Sequence, residues 1–263
     1  MQYNEAVSPQ LLLTNDDGIA SPGIAALRRA LEGLGEVTTL APAENSSAVA
    51  RSITIDRALS LRRTTFGDGH EGLALDGTPS DCVRVALLGV ATPVPDLVVS
   101  GINLGANLGA DVTYSGTVGA ALEAALRGGA GIALSVESRE PRWLDEAVPL
   151  VHAIIRRAIE YGIPAQTVLN VNLPDAPVSA IRGVRPARLG GASCHDRVTL
   201  SGPGGGEYFV PCDGPPPVAG FDTDFDTVKA GFVALTPLRY DLLDEGLLAD
   251  LAAWDLDLEA VRG

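Results

Sequence analysis

The sequence predicts an α/β fold built on a doubly wound, mostly parallel sheet. Three observations predict it. Short apolar runs alternate with helical patterns over residues 9–175. The first run, Leu11-Leu12-Leu13, ends in Asn15-Asp16-Asp17-Gly18, as a buried parallel strand does when it delivers polar groups to the open edge of a sheet. Small polar residues also gather behind later runs, and the carboxyl edge of such a sheet is where ligands bind.

The elements follow in order. After the first strand, Ser21 and Pro22 read as an N-cap and first helical residue, and Ile24, Leu27, Leu31 and Leu34 repeat at helical spacing. Glu36–Leu40 reads as a second strand and Leu73–Leu75 as a short one. Thr78-Pro79-Ser80-Asp81 has the pattern of a cap, and opens a helix to about Leu88. Asp96–Ser100 is a central strand, Ser115–Leu126 a helix, Gly131–Val136 a strand, Trp143–Tyr161 a longer helix and Thr167–Leu173 another strand. Residues 176–230 are rich in Gly, Pro and Asp, with short β-like pieces such as EYFV, and predict a β-hairpin arm. Gly231–Leu235 returns to strand character, and Tyr240–Leu258 reads as an acidic helical tail. The 263 residues are thus read as one domain: a core over 9–175 and 231–240, an arm over 176–230 and a tail over 241–263.

A net charge of −14 argues against nucleic-acid polymers and anionic membranes as partners. It leaves room for a small anion, because a bound cation reverses the field locally. The three cysteines, Cys82, Cys194 and Cys212, form no CxxC pair and predict a reducing compartment. With no signal-like N-terminus and no long apolar run, a soluble cytoplasmic protein is expected.

Two adjacent carboxylates at a strand end repel unless a cation or proton sits between them. The stretch Ser100–Val118 supplies the opposite character. It spaces Gly101, Gly105, Gly109 and Gly116 between Asn103, Asn107, Asp111, Ser115 and Thr117. Ser115-Gly116-Thr117 opens a helix whose N-terminus favours phosphate. There is no GK[ST] and no GxGxxG, so neither a Walker loop nor a dinucleotide fold is indicated. Asp16, Asp17, Asn103 and a serine of the loop after the second strand, Ser46 or Ser47, are hard oxygen ligands that select Mg²⁺, Mn²⁺ or Ca²⁺ over zinc. A cation beside an anion cradle describes phosphoryl chemistry.

The blocks NDDG, SPG, AP-x₂-N-x-S, GTPxDCV, SGIN-x-G-x-N-x-G-x-DVxYSGTV, NVNxP and TPL, in this order, resemble the SurE family of metal-dependent 5′-nucleotidases over nearly the whole chain. The resemblance implies a Rossmann-like core and hydrolysis of nucleoside 5′-monophosphates. It implies one divalent cation per subunit, Mg²⁺ or Mn²⁺, with Ca²⁺ able to stand in for it in a crystal. It also implies a homodimer or tetramer with exchanged C-terminal segments. Carried over residue by residue, the metal ligands are Asp16, Asp17, Ser47 and Asn103, and the phosphate contacts are Asn107, Ser115, Gly116 and Thr117. The catalytic residues are Asp16 and Asp17, with Asp16 the candidate general base. The chain departs from the family pattern at Asn45-Ser46-Ser47-Ala48, where the family reads NRSG, and in the arm. Arg51 is a candidate replacement for the missing arginine, and Asp224 of the family's TD pair a candidate substrate contact. His195 is the one histidine worth testing. A phosphatase for another small phosphate ester, and a nucleotide- or metal-binding protein without turnover, are the alternatives.

Overall fold

The computed structural model describes residues 8–66, 69–191, 199–201, 207–209 and 222–254. The strand β1 (Gln10–Thr14) is followed by α1 (Pro22–Ala30) and β2 (Glu36–Pro42). Then come β3 (Leu61–Thr65), β4 (Glu71–Leu75), α2 (Pro79–Val85), β5 (Leu97–Leu104) and α3 (Gly116–Leu126). The chain continues through β6 (Ala130–Val136), α4 (Leu144–Tyr161), β7 (Thr167–Leu173), β8 (Val184–Pro186), β9 (Thr199–Ser201) and β10 (Glu207–Phe209). It closes with α5 (Asp224–Lys229), β11 (Val233–Arg239) and α6 (Glu245–Leu251).

Nine strands form one sheet in the order β3-β4-β2-β1-β5-β6-β7-β11-β8, and β9 pairs β10 separately. The core pairings from β4 to β7 are parallel. From β1 the chain moves outward to β2, then returns to the other side of β1 as β5. The strand order therefore reverses between β1 and β5, and in open α/β sheets such a reversal marks the ligand crevice beyond the carboxyl ends.

Period-2 alternation along β1 sorts its leucines onto two faces. Leu11 and Leu13 pack with Ile24, Leu27, Val151 and Ile155 under α1 and α4. Leu12 packs with Cys82, Val83 and Ala120 under α2 and α3. Each fully buried leucine or isoleucine contributes about 1.5–3 kcal/mol by leaving water. The caps form as read. Ser21 accepts from the Ile24 N–H, Thr78 and Asp81 form a reciprocal capping box, and Ser115 accepts from the Val118 N–H.

Several elements differ from the reading. β3 lies in a stretch without strand signal, because its five residues, LRRTT, are largely exposed and carry no apolar alternation; the antiparallel ladder to β4 holds it. β11 extends past Leu235 to Arg239, antiparallel to β7. It tolerates Pro237 because β8 covers only Val233–Leu235, leaving no ladder partner for the missing N–H. The final helix starts at Glu245 rather than Tyr240, where Asp244 accepts from the Leu247 N–H as its cap. The segment 176–230 also gives more than a hairpin: β8 joins the main sheet and α5 precedes β11.

Candidate active site

The turn after β1 is set by Asn15. Its side-chain amide donates to the Gly18 carbonyl and the Ser21 hydroxyl, both at 2.9 Å. That leaves Asp16 buried and Asp17 half-buried at the crevice between β1 and β5.

Asp16 is gripped by the first turn of α3. The Thr117 N–H donates to Oδ2 at 3.0 Å and the Thr117 hydroxyl to Oδ1 at 2.5 Å. The approach is close: a Cβ on Gly116 would lie 2.8 Å from the Asp16 Cβ, so only glycine fits. Burial pushes the Asp16 carboxyl above its usual range, opposed by the Thr117 hydrogen bonds. Asp17 is pushed up to about 6, by burial first and then by the neighbouring Asp16 charge, with the Leu104 N–H pulling the other way. That N–H donates to Asp17 Oδ2 at 3.2 Å.

The loop after β2 closes over this turn. The Ser46 N–H donates to the Asp16 carbonyl at 2.7 Å, and the Ser47 N–H to Asn45 Oδ1 at 2.8 Å. Further along, the Ala50 N–H reaches the Tyr114 carbonyl at 2.9 Å, and Thr54 donates twice to Asp81. Ala48 has φ +58°, a left-handed conformation that favours glycine. The loop thus keeps a glycine-like turn at the position where the family pattern has glycine, and the alanine bears the strain. Arg51 makes no hydrogen bond or ion pair among the described residues, and its backbone packs against Gly119 of α3.

On β5, the register with β6 shifts between Ser100 and Asn103, a bulge that re-aims the strand end beside the site. The Asn103 amide donates to the Gly105 carbonyl at 2.7 Å, which fixes its plane and leaves the side-chain oxygen as acceptor. Asn107 is a buried hub. Its N–H donates to Asn172 Oδ1 at 2.8 Å, its side-chain amide donates to Ser135 Oγ at 2.8 Å, and its carbonyl accepts from Asn170 and Asn172.

The structure therefore brings Asp16, Asp17 and Thr117 together directly. It draws in the loop carrying Ser46 and Ser47 through the Asp16 carbonyl, and the end of β5 through Leu104. The Thr117 N–H and hydroxyl both donate to Asp16, and the Asn107 amide is turned to Ser135. Asp224 is fully buried, with its carboxylate on the Gly109, Gly190 and Phe225 N–H groups. His195 lies outside the described residues. The reading missed Ser135 and the Leu104 N–H. Ser135 has a faint signal, a polar residue near the carboxyl end of a buried strand, whereas a backbone N–H has none.

The donors fit a hard divalent cation. Asp16 and Asp17 raise each other's proton affinity unless a positive charge joins them. The serine and asparagine oxygens add neutral hard donors. Asn15 Oδ1, in the same turn, is buried without a hydrogen-bond donor. Among the described residues, no group of three or more His, Cys, Asp or Glu gathers as a softer metal would require.

The sequence pattern of the family described as survival protein SurE matches residues 11–196. The chain is similar to the 5′-nucleotidase SurE of Azotobacter vinelandii, 43% identical over 95% of this chain and 99% of that protein. It is similar to the 5′-nucleotidase SurE of Laribacter hongkongensis, 42% identical over 93% and 98%. Among solved structures, the SurE protein from Aquifex aeolicus matches with TM-score 0.80 and 37% identity, over 92% of this chain and 98% of that one.

Proposed function

The chain belongs to the SurE family, and on that premise we propose that the crevice between β1 and β5 is the active site of a 5′-nucleotidase. The protein is an enzyme that hydrolyses nucleoside monophosphates to nucleoside and phosphate. One observation carries the assignment of the site: the aspartate pair of β1 meets the N-terminus of α3 across the reversal in strand order. That contact supports reading the anionic turn as the cation site and the helix start as the phosphate seat.

Asp16, Asp17, Ser47 and Asn103 would hold one Mg²⁺ or Mn²⁺ per subunit. When bound, the cation would withdraw charge from a phosphoryl oxygen and neutralise the aspartate pair. Ser115, Gly116 and Asn107 shape the phosphate seat. Thr117 orients Asp16 and shares that helix start. Arg51 supplies a free cation for the substrate in a chain of net charge −14. Asp16 has both oxygens engaged by Thr117, while Asp17 takes a single donor, the Leu104 N–H, and keeps more of its lone pairs open to a water. Asp17 is therefore the better placed of the two to accept a proton from an attacking water.

The same proposal includes a homodimer or tetramer with exchanged C-terminal segments. Leu242, Leu243, Leu247, Leu248, Leu251 and Trp254 are all exposed, a run of apolar side chains that a second subunit would cover. No helix among the described residues is long and apolar enough to cross a membrane. A cytoplasmic location is part of the proposal, supported by the odd cysteine count.

The test is a panel on purified protein: Mg²⁺, Mn²⁺, Ca²⁺ and chelator against 5′-AMP, 5′-GMP, 3′-AMP and a sugar phosphate. The 5′-nucleotides should be turned over fastest in Mg²⁺ or Mn²⁺, and Asp16→Asn should abolish turnover with the fold intact. A sugar phosphate hydrolysed about tenfold faster, a difference of about 1.4 kcal/mol, would overturn the substrate reading. Single turnover in ¹⁸O-water should label phosphate directly; label arriving through an enzyme carboxylate would assign a covalent route.

A further inference from the structure

Asp224 is a fully buried carboxylate whose partners are backbone N–H groups from three separate segments. Oδ2 accepts from Gly109 at 2.8 Å. Oδ1 accepts from Gly190 at 2.9 Å and from Phe225, at the start of α5, at 3.1 Å. Gly109 opens the short turn Gly109–Thr113 that leads into Ser115 and α3. Gly190 lies on the segment that leaves the sheet after β8, and Phe225 on the segment that returns.

The two segments are also closed on each other by backbone. The Arg188 N–H donates to the Asp222 carbonyl, and the Asp224 N–H to the Arg188 carbonyl, both at 2.9 Å. Beneath this joint Leu108 packs in one apolar cluster with Ala187, Val228 and Ala234. Two polar anchors of the loop before α3 thus lie two residues apart. Asn107 is tied to the sheet through Asn170, Asn172 and Ser135, and Gly109 is tied through Asp224 to the joint of residues 188–190 with 222–224.

We propose that Asp224 is a positioning residue for the phosphate seat, and that it couples the seat to the joint of residues 188–190 with 222–224. The proposal rests on the reading of the α3 N-terminus as that seat. Charge-assisted bonds from both sides need an acceptor at each oxygen. Asparagine supplies one, and its NH₂ would confront either Gly109 or the pair Gly190 and Phe225. The joint is tight on the far side as well. A Cβ on Gly190 would lie 3.1 Å from Asp224 Oδ1 and 2.8 Å from the Phe225 ring, so bulk there presses on the same carboxylate.

Four variants test this with 5′-AMP as substrate and inorganic phosphate as competitive inhibitor: Asp224→Asn, Gly190→Ala, Ser115→Ala and Thr223→Ala. Asp224→Asn should raise the phosphate inhibition constant and KM about tenfold, as expected for one lost charge-assisted bond, with the Mn²⁺ half-saturation unchanged. Gly190→Ala, remote from the crevice, should move the same two constants in the same direction. Thr223→Ala removes the cap of α5 and should lower Tm without moving either constant. Ser115→Ala reads the seat itself. A shift in Ser115→Ala with none in Asp224→Asn or Gly190→Ala overturns the coupling and leaves the seat standing. No shift in any variant overturns the seat, and the coupling with it. If Asp224→Asn lowers Tm, Mn²⁺ affinity and kcat together, or does not fold while Gly190→Ala leaves both constants unmoved, Asp224 is a structural brace and the proposal falls.

Discussion

The Thr117 N–H lies 3.0 Å from Asp16 Oδ2 while the Thr117 hydroxyl donates to Oδ1, so a single residue of α3 holds both oxygens of the buried aspartate. This contact joins the end of β1 to the helix that follows β5. It fixes the orientation of Asp16 before any ligand arrives, the kind of preorganisation that catalysis by charge requires.

Thr117→Val removes the hydroxyl and keeps the N–H and the shape. The buried carboxylate loses one of two donors and becomes harder to ionise. The expected result is a fall in kcat/KM of about 10–100-fold, with Thr117→Ser close to wild type. Steady-state kinetics on the two variants decide it; a valine enzyme as active as the serine enzyme would show that the second donor is idle.

Asp17 sets a pH dependence in the metal-free protein. Its carboxyl is raised from 3.8 to about 6 on folding, so the native state binds its proton more tightly than the unfolded chain. The stability linked to this group is fully present below pH 3.8 and is lost as pH rises through about 6. In chelator at pH 8, Asp17→Asn should therefore be more stable than wild type. The rise is worth at most about 3 kcal/mol, and about 1–2 kcal/mol after solvent screening of a half-exposed group. Thermal unfolding at pH 5 and pH 8 measures it, and a variant less stable than wild type at pH 8 contradicts the account.

Ser46 and Ser47 compete for the ligand role. The Ser46 N–H is tied to the Asp16 carbonyl, and the Ser47 N–H to Asn45 Oδ1 in the same loop. Ser47→Ala should weaken Mn²⁺ half-saturation about tenfold or more through loss of a hard oxygen donor, and Ser46→Ala should leave it near wild type. Metal titrations followed by activity and by thermal shift distinguish them, and the reverse ranking would reassign the ligand.

Asn172→Ala removes the acceptor of the Asn107 N–H and one donor to its carbonyl in a fully buried setting. Leaving those groups unpaired costs about 2–3 kcal/mol, which should lower Tm by roughly 5 °C in a chain of this size. Differential scanning fluorimetry on the metal-loaded protein reads the change; an unshifted Tm would mean that water takes over both bonds.

The core of the fold was legible because its signals are local. A run such as Leu11–Leu13 must be buried on both faces, and Ser21-Pro22 and Thr78-Pro79-Ser80-Asp81 carry caps whose chemistry acts within one turn. β3 was not legible, since a mostly exposed strand needs no apolar alternation and exists only by pairing with β4. The start of α6 was missed because Asp244 caps it where the apolar spacing already runs from Tyr240.

The sequence by itself determined the edge of the sheet at which the candidate groups emerge. Asp16 and Asp17 follow β1, Asn103 closes β5 and Ser115-Gly116-Thr117 opens α3, and in a doubly wound sheet all of these must emerge at one edge. The tertiary structure alone decided what each group does there. It turned Thr117 onto Asp16, Asn107 onto Ser135 and Asp224 onto Gly109, because a buried polar atom must find a partner and the partner lies far along the chain. Residue type and local spacing fix the edge at which a side chain emerges; only the packed neighbours fix which of its atoms remain free for a ligand.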